Sequence, residues 1–450
     1  MPDLGNGILY FIDSKKILKP AENLALSFLL GYAGITLLLF WSFFINLPYR
    51  IPIIGGAIVA LFILKSVFLH SFGFQDNLLF QLKHKLVQIR ERKSLNIRNI
   101  LLILLLLLTC FKLSYTFIET CSKPEYSWDA AAFWTMDGKY FFYLNQEVPN
   151  QISRFYLMFS NYHPDYPKQI PMMHFWLFSW MGAANDQWSK IFFPISLVCF
   201  LVLFYMSLRK TRGSLGAGVF TYLLFSSPFF LYAATIGYAD FTRSIYFSLG
   251  IIFFYRWMHE KQKLYFWLFA FLTSLTTWIK HEGKTLYLIG LIILLIYVWS
   301  HQRSFKSVLT KAIQYLSFYA VIGLPWQLFI IYNHLVIREK LDYYLSHFFE
   351  LHSQIYEKLF INGSWGIFWI VVVTVIIFFY KNLLKETNGY LALTFLLLYG
   401  VVLFIYQFAY DGYNIFSTSF NRIWLSAYPI AVFMLGCIIP KFTHSKVGDI

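Results

Sequence analysis

Charged residues are scarce in this sequence of 450 residues. Asp, Glu, Lys and Arg together make up 13% of the chain, whereas hydrophobic residues make up 58% and aromatic residues 21%. So few charges cannot cover the surface of a water-soluble globule of this length. The composition therefore excludes an ordinary soluble enzyme and predicts an all-α protein that crosses a membrane many times.

Cysteine is also scarce, and features typical of several other protein classes are missing. The cysteines form neither the close-spaced pairs of a metal site nor a disulfide framework, and we find no soluble domain, low-complexity linker or repeat of about 20 to 50 residues. Residues 1–23 are mixed polar and lack a cleavable signal, so the first apolar run is expected to act as an uncleaved anchor. The cysteines are Cys110, Cys121, Cys199 and Cys437.

Long apolar runs are what the sequence does contain. A run of about 17 to 25 apolar residues is long enough to cross a hydrocarbon core. Such runs predict twelve transmembrane helices, with both termini on the same side of the membrane. The predicted spans are residues 24–46, 50–70, 99–119, 189–208, 214–233, 241–258, 264–279, 284–300, 312–332, 364–380, 389–409 and 422–440.

The basic residues predict which side is cytoplasmic. Short cytoplasmic loops retain Lys and Arg, and most of the 37 Lys and Arg residues fall on the face that holds the N-terminus. The net charge of +15 is then a consequence of topology. Because these charges are spread over many loops, they do not indicate a nucleic-acid partner.

The threaded chain divides into three parts. Residues 1–98 hold two N-terminal helices and a basic cytoplasmic loop, residues 99–440 form the main transmembrane unit, and residues 441–450 form a cytoplasmic tail. The longest stretch outside the membrane is the outer loop 120–188, where we expect the chemistry. Within it, the aromatic segment 169–183 is expected to lie along or dip into the outer leaflet, where Trp is favoured.

A second outer loop, residues 333–363, has a helical pattern. Its apolar residues recur at steps of three or four, which predicts an amphipathic helix resting on the outer surface near the pocket mouth. These residues are Leu341, Tyr344, Phe348, Leu351, Ile355 and Leu359.

When the predicted spans are placed across the membrane, five polar clusters all fall on its outer side. Random placement would scatter them over both faces. The sequence therefore predicts that they converge on one extracytoplasmic pocket, as a membrane-embedded enzyme requires. The clusters are SWDA at 127–130, HPDYP at 163–167, GYAD at 237–240, KHEG at 280–283 and NR at 421–422.

The first two clusters offer candidate acids and bases. Asp129 is flanked by Trp128 and Trp134, and partial desolvation beside aromatic rings raises carboxylate basicity toward the range of a general base; a helix N-cap is the structural alternative. Asp165 lies between prolines in a rigid extended segment. That segment could hold Asp165 and His163 toward a ligand or a divalent metal, and a structural turn is the equal competitor.

The later clusters contain charges at the predicted membrane surface. Asp240 has the structural alternative of capping the helix that follows it. Lys280, His281 and Glu282 follow a short apolar helix, so they are expected to sit slightly sunk in the membrane, where ionisable groups are usually functional or paired. Pairing of Lys280 with Glu282 or Asp240 is the structural alternative. Arg422 either snorkels to the interface or joins Lys280 in binding a phosphate.

The five clusters in this order resemble the motifs of bacterial members of the GT-C superfamily of integral-membrane glycosyltransferases. The resemblance covers roughly residues 99–440 and includes the Arg of SFNR at 419–422. It implies a polyprenyl-phosphate sugar donor, a glycan, lipid or protein acceptor, inversion at the transferred sugar, and a bacterial inner membrane with the active site facing outside.

The resemblance also assigns roles to individual residues. It implies that Asp129 is the catalytic base and that Lys280, Glu282 and Arg422 line the donor site, while the superfamily contains both metal-dependent and metal-independent enzymes. The full set of expected donor- and substrate-binding residues is Lys139, His163, Asp165, Tyr238, Asp240, Lys280, His281, Glu282 and Arg422.

Two departures from the superfamily pattern and three other functions accompany this interpretation. Two helices precede the catalytic unit, and no soluble domain follows the last helix, which leaves acceptor recognition to the loops 120–188 and 333–363.

A lipid-linked glycan polymerase or ligase would move an oligosaccharide rather than one sugar. A transporter or flippase would show internal repeats and charges near the midplane. A non-catalytic scaffold would have no such site.

Overall fold

The computed structural model describes residues 1–13, 16–70, 96–147, 157–158, 163–335, 347–408 and 412–440, and these residues form helices and no strands. The predicted all-α class is therefore confirmed for them. In the first half of the chain the α-helices are α1 Pro2–Ile12, α2 Pro20–Phe44, α3 Arg50–His70, α4 Ile97–Ser122, α5 Met136–Glu147, α6 Gln169–Met181, α7 Phe192–Leu224, α8 Pro228–Ala233 and α9 Ala239–Glu260.

Nine further α-helices follow among the described residues. They are α10 Lys263–Ile279, α11 Glu282–Gln302, α12 Phe305–Ile322, α13 Leu324–Tyr332, α14 His347–Tyr356, α15 Phe368–Leu383, α16 Glu386–Phe408, α17 Gly412–Trp424 and α18 Tyr428–Ile438. A π-helical turn, Ala130–Thr135, precedes α5, and a second one, Glu357–Ile361, continues α14.

The number of candidate membrane spans among the described residues is smaller than the twelve predicted. Five helices of the described residues are long and apolar enough to cross a membrane, or seven if two bent pairs, α12 with α13 and α17 with α18, each count as one span. All twelve predicted segments contain helix, but twelve separate spans are not confirmed. Two predicted spans, 189–208 and 214–233, share the single helix α7, which is broken at Gly213 with φ of 70°.

Helix α9 forms the centre of the molecule. Its residues are buried from Ala239 to Met258, as expected for a helix without a polar face. It packs against α10 as an adjacent hairpin and also contacts α7, α16 and α18. The close approach of α9 to α10 depends on Gly250, because a Cβ atom there would lie 2.5 Å from the Thr273 side chain.

The aromatic segment 169–183, which we predicted to lie along or dip into the outer leaflet, packs largely inside the protein. It forms α6, most of whose residues are buried, and packs against α2 and α5. The Phe175 ring lies 6.3 Å from the rings of both Phe43 and Phe141. Aromatic residues are favoured both in a protein core and at a membrane interface. The composition of segment 169–183 therefore could not distinguish these two environments.

The amphipathic helix predicted in the loop 333–363 is present in its described part. It comprises α14 and the π-helical turn after it, and Leu351, Ile355 and Leu359 are buried, with α14 packed on α16. The predicted positions Leu341 and Tyr344 lie outside the described residues.

Candidate functional site

Six charged side chains from distant parts of the chain meet at the N-terminal end of α9. Each of these side chains belongs to a residue near the end of a helix or in the segment that leads into one, so several helix ends converge there. We call this set the Arg422 cluster; its members are Asp129, Asp240, Arg243, Lys280, Glu282 and Arg422.

Two cations and two carboxylates form the buried half of the cluster. The Lys280 ammonium lies 3.1 Å from Asp240 and 3.2 Å from Glu282. The Arg243 guanidinium lies 3.1 Å from Asp240 and 3.4 Å from Glu282. Both pairings that were predicted as structural alternatives for Lys280 therefore exist. Asp240 lies in the first turn of α9, but the N-cap residue is Tyr238.

Asp129 and Arg422 form the more exposed half. The Arg422 Nη1 atom lies 2.5 Å from Asp129 Oδ2, across 293 positions of the chain. The Arg422 guanidinium also lies over the Tyr238 ring, 5.1 Å from its centroid, and Arg243 donates a 3.1 Å hydrogen bond to the Arg422 carbonyl oxygen. Asp129 occupies the N-cap position of the π-helical turn, as the structural alternative predicted, but makes no side-chain capping hydrogen bond; its carboxylate pairs with Arg422 instead.

The cluster contains more hydrogen-bonding capacity than its members use. Four buried polar atoms of the cluster make no hydrogen bond: Nε of Arg243, Nε of Arg422, and the Arg243 Nη1 and Glu282 Oε2 atoms, which face each other at 3.4 Å. A buried donor or acceptor without a partner costs about 1–3 kcal/mol. A ligand that accepted hydrogen bonds from these guanidinium groups would recover part of that cost.

An apolar crevice opens beside the cluster. Arg243 and Glu282 form its polar end, and its cavity volume is about 10 Å³, room for about one water molecule. The remaining walls are apolar and come from α11, α16 and the region where α17 meets α18. They consist of Leu286, Leu398, Val401, Val402, Ile405, Ile423, Trp424 and Ala427. One crevice therefore combines a charged end with an apolar wall.

A second polar group lies next to the cluster, since His281 stands between Lys280 and Glu282. The His281 Nε2 atom lies 2.6 Å from Asp165 Oδ2, and His163 lies 3.8 Å from the other carboxylate oxygen. Burial is the largest single effect and would raise the pKa of Asp165, but the hydrogen bond and electrostatic interaction with His281, a backbone hydrogen bond and the nearby His163 together hold that pKa below its usual value. Asp165 is thus an ionised carboxylate that orients His281.

Aromatic rings support this second group. The Tyr166 ring stacks on His163 at 4.4 Å and on Trp134 at 5.6 Å, and its edge meets His281 at 5.0 Å. A backbone hydrogen bond from Tyr166 to His163 closes a turn at this segment, as the structural alternative predicted. Among the described residues, no three His, Cys, Asp or Glu side chains are arranged to hold a metal ion.

Lys139 is the one predicted site residue that pairs elsewhere. Its ammonium lies 2.7 Å from Asp186, which belongs to the same outer loop and to neither group above. Conversely, Arg243 was missed. Its signal was an arginine three residues after Asp240 in an otherwise apolar helix, a spacing that places both side chains on one helix face.

No family model, curated protein or solved structure matches this chain. The resemblance to the GT-C superfamily therefore rests on the order of the sequence motifs.

Proposed function

We propose that this protein is an integral-membrane glycosyltransferase that moves a sugar from a polyprenyl-phosphate donor to an acceptor hydroxyl. The observation that supports this proposal most is the Asp129 carboxylate held by Arg422, beside further cations and an apolar crevice. A lipid-linked sugar phosphate has the same two parts, an anionic head and an apolar tail. We further propose that the site faces the outside of a bacterial inner membrane.

The cations would bind the donor phosphate. Arg422 and Arg243 have buried N–H groups without hydrogen-bond partners, and charge-assisted hydrogen bonds to phosphate are among the stronger polar contacts in proteins. When the bond between the sugar and the phosphate breaks, the leaving phosphate carries the electron pair. Cations positioned before the reaction stabilise that charge without a general acid.

Asp129 would act as the general base. While its carboxylate is hydrogen-bonded to Arg422, Asp129 is not free to contact the acceptor hydroxyl. Engagement of Arg422 by the donor phosphate would weaken that pair. Asp129 could then take the acceptor's hydroxyl proton as the acceptor oxygen attacks the anomeric carbon opposite the phosphate, which inverts the configuration.

The experiment that tests this function is the identification of the donor. Lipid extracted from the detergent-purified protein should contain a polyprenyl-phosphate sugar by mass spectrometry, and the protein should transfer the sugar of that lipid to an added acceptor. Transfer of an oligosaccharide would instead assign a lipid-linked glycan polymerase or ligase. Movement of intact lipid across a vesicle membrane without transfer would indicate a transporter.

A further inference from the structure

Glu125 is a carboxyl group that no step of the proposed reaction uses, and it lies four residues before Asp129. Its Oε1 atom accepts hydrogen bonds from Ser189 Oγ at 3.1 Å and from Thr135 Oγ1 at 3.4 Å. Thr135 ends the π-helical turn that follows Asp129, and Ser189 belongs to the turn before α7. Glu125 therefore joins the Asp129 segment to the start of a long helix.

The same carboxyl group packs against the turn that leads into α9. A Cβ atom on Gly237 would lie 2.8 Å from Oε1 and 3.1 Å from Oε2 of Glu125, and 3.3 Å from the Cβ of Ala130. Gly237 has φ of 72°, a conformation that favours glycine. The next residue is Tyr238, whose ring lies under Arg422. Glu125 thus touches the segment that contains Asp129 and the turn that supports its partner.

The charges around Glu125 leave its second oxygen without a partner. Oε2 is buried and accepts no hydrogen bond. Lys190 is the cation that faces Glu125, but its ammonium donates to the carbonyl oxygens of Lys123 and Pro124. The acidic neighbour Asp186 is paired with Lys139. Burial raises the pKa of Glu125 to about 7, against the opposing effects of Lys190, Ser189 and Thr135.

We propose that Glu125, as a neutral carboxyl group, is a positioning residue that holds the Asp129 segment against the Gly237 turn and so sets the Asp129–Arg422 geometry. This role rests on the proposed function as far as sugar transfer is concerned. Loss of the proton places a negative charge, only partly compensated by Lys190, against the Gly237 turn and loosens the contact. Glu125→Gln reproduces the neutral form, and Glu125→Ala removes the contact.

The activity test measures transfer rates from about pH 5.5 to 8.5 with the purified full chain and its donor. The wild-type kcat should fall as the pH rises through about 7, and Glu125→Gln should keep the rate of the wild type at low pH without that fall. Glu125→Ala should lose on the order of tenfold in kcat with little change in the donor KM. Glu119→Gln, at the end of α4, is the matched control and should behave as the wild type.

A second test needs no donor and separates this proposal from the proposed function. The folded state holds the Glu125 proton up to about pH 7, whereas an unperturbed carboxyl loses it near 4.5. The stabilisation is present below the unperturbed pKa and is lost as the pH rises through the folded pKa. The melting temperature of the wild type, relative to Glu125→Gln, should therefore decrease across this range.

The outcomes are distinguishable. If no variant and no wild-type preparation transfers sugar, the proposed function fails, and the melting curves still decide the role of Glu125. A difference in melting temperature between wild type and Glu125→Gln that is constant with pH would overturn the proposal. So would a Glu125→Gln protein as slow as Glu125→Ala at every pH.

Discussion

An arginine lies among carboxylates at each end of α9, and the two arginines differ in their hydrogen bonds. At the C-terminal end, Arg256 donates hydrogen bonds of 2.6 Å to Glu22 and to the Tyr265 hydroxyl, and its Nε lies 3.5 Å from Glu260. Lys210 pairs with the same Glu260. We call this set the Arg256 cluster. At the N-terminal end, Arg243 shares two carboxylates with Lys280, and its Nε and Nη1 atoms make no hydrogen bond, although Nη1 lies 3.4 Å from Glu282; in Arg256 only Nε makes none.

The comparison separates a structural ion pair from a candidate binding site. Buried ion pairs recover their desolvation cost only where geometry and hydrogen bonds are good. The Arg256 cluster meets that condition and fastens α2, α9 and α10 to each other. The Arg422 cluster meets it less completely and adjoins a crevice, which favours a ligand that completes its hydrogen bonds. The predictions below test this contrast.

The largest expected effect is on stability, from a substitution in the Arg256 cluster. Arg256→Ala leaves Glu22 buried without its partner, so we expect a loss of about 3–5 kcal/mol in the free energy of unfolding. Unfolding of the detergent-purified protein, followed by heat or denaturant, measures it. Replacing both residues, as Glu22→Leu with Arg256→Met, should recover much of the loss. An Arg256→Ala protein as stable as the wild type would contradict a structural role for the Arg256 cluster.

Asp129→Asn should have the opposite effect, a loss of activity with little loss of stability. It keeps the shape of the side chain and removes its basicity, so turnover should fall by about 10² or more while the melting temperature changes little. Sugar transfer from the natural donor is the measurement, with Glu119→Gln as the control carboxylate. Full transfer activity in Asp129→Asn would rule out Asp129 as the base.

Substitutions of Arg422 sharpen the assignment of the phosphate site. Arg422→Lys keeps the charge but loses the forked geometry, so it should be less damaging than Arg422→Ala if charge dominates and equally damaging if bidentate contact dominates. Donor affinity and rate are measured beside thermal stability for each variant. Unaltered affinity and rate in a double variant, Lys280→Ala with Arg422→Ala, would contradict a phosphate role.

The convergence of the polar clusters could be predicted from the sequence, because threading apolar runs through a membrane assigns each loop to one face. The contact between Asp129 and Arg422, and that of Asp240 with Lys280, agree with it. The fine structure could not be predicted. Arg243 was missed although its spacing from Asp240 was a signal, and the contact of Glu125 with Gly237 joins residues that the sequence pattern does not connect.

Hydropathy also could not give the number of spans. It measures how apolar a segment is, and a helix buried among other helices is as apolar as one facing lipid. Helix α10 has 17 residues and is buried almost throughout, while α4 is apolar and largely exposed. Both helices are predominantly apolar, so hydropathy alone does not show which of them is packed inside the protein.

The smallest expected effect is at Lys139, which the superfamily resemblance placed in the donor site. Its ion pair with Asp186 is partly exposed, and such pairs contribute only about 0–1 kcal/mol. Lys139→Ala should therefore change stability by no more than that, and it should leave the donor KM unchanged because the Lys139 ammonium is directed at Asp186 rather than at the Arg422 cluster. Asp186→Asn, which breaks the same pair from the other side, is the matched variant. A rise in donor KM in Lys139→Ala that Asp186→Asn does not share would show that Lys139 leaves Asp186 to contact the donor, and the binding site would then extend from α9 into the outer loop.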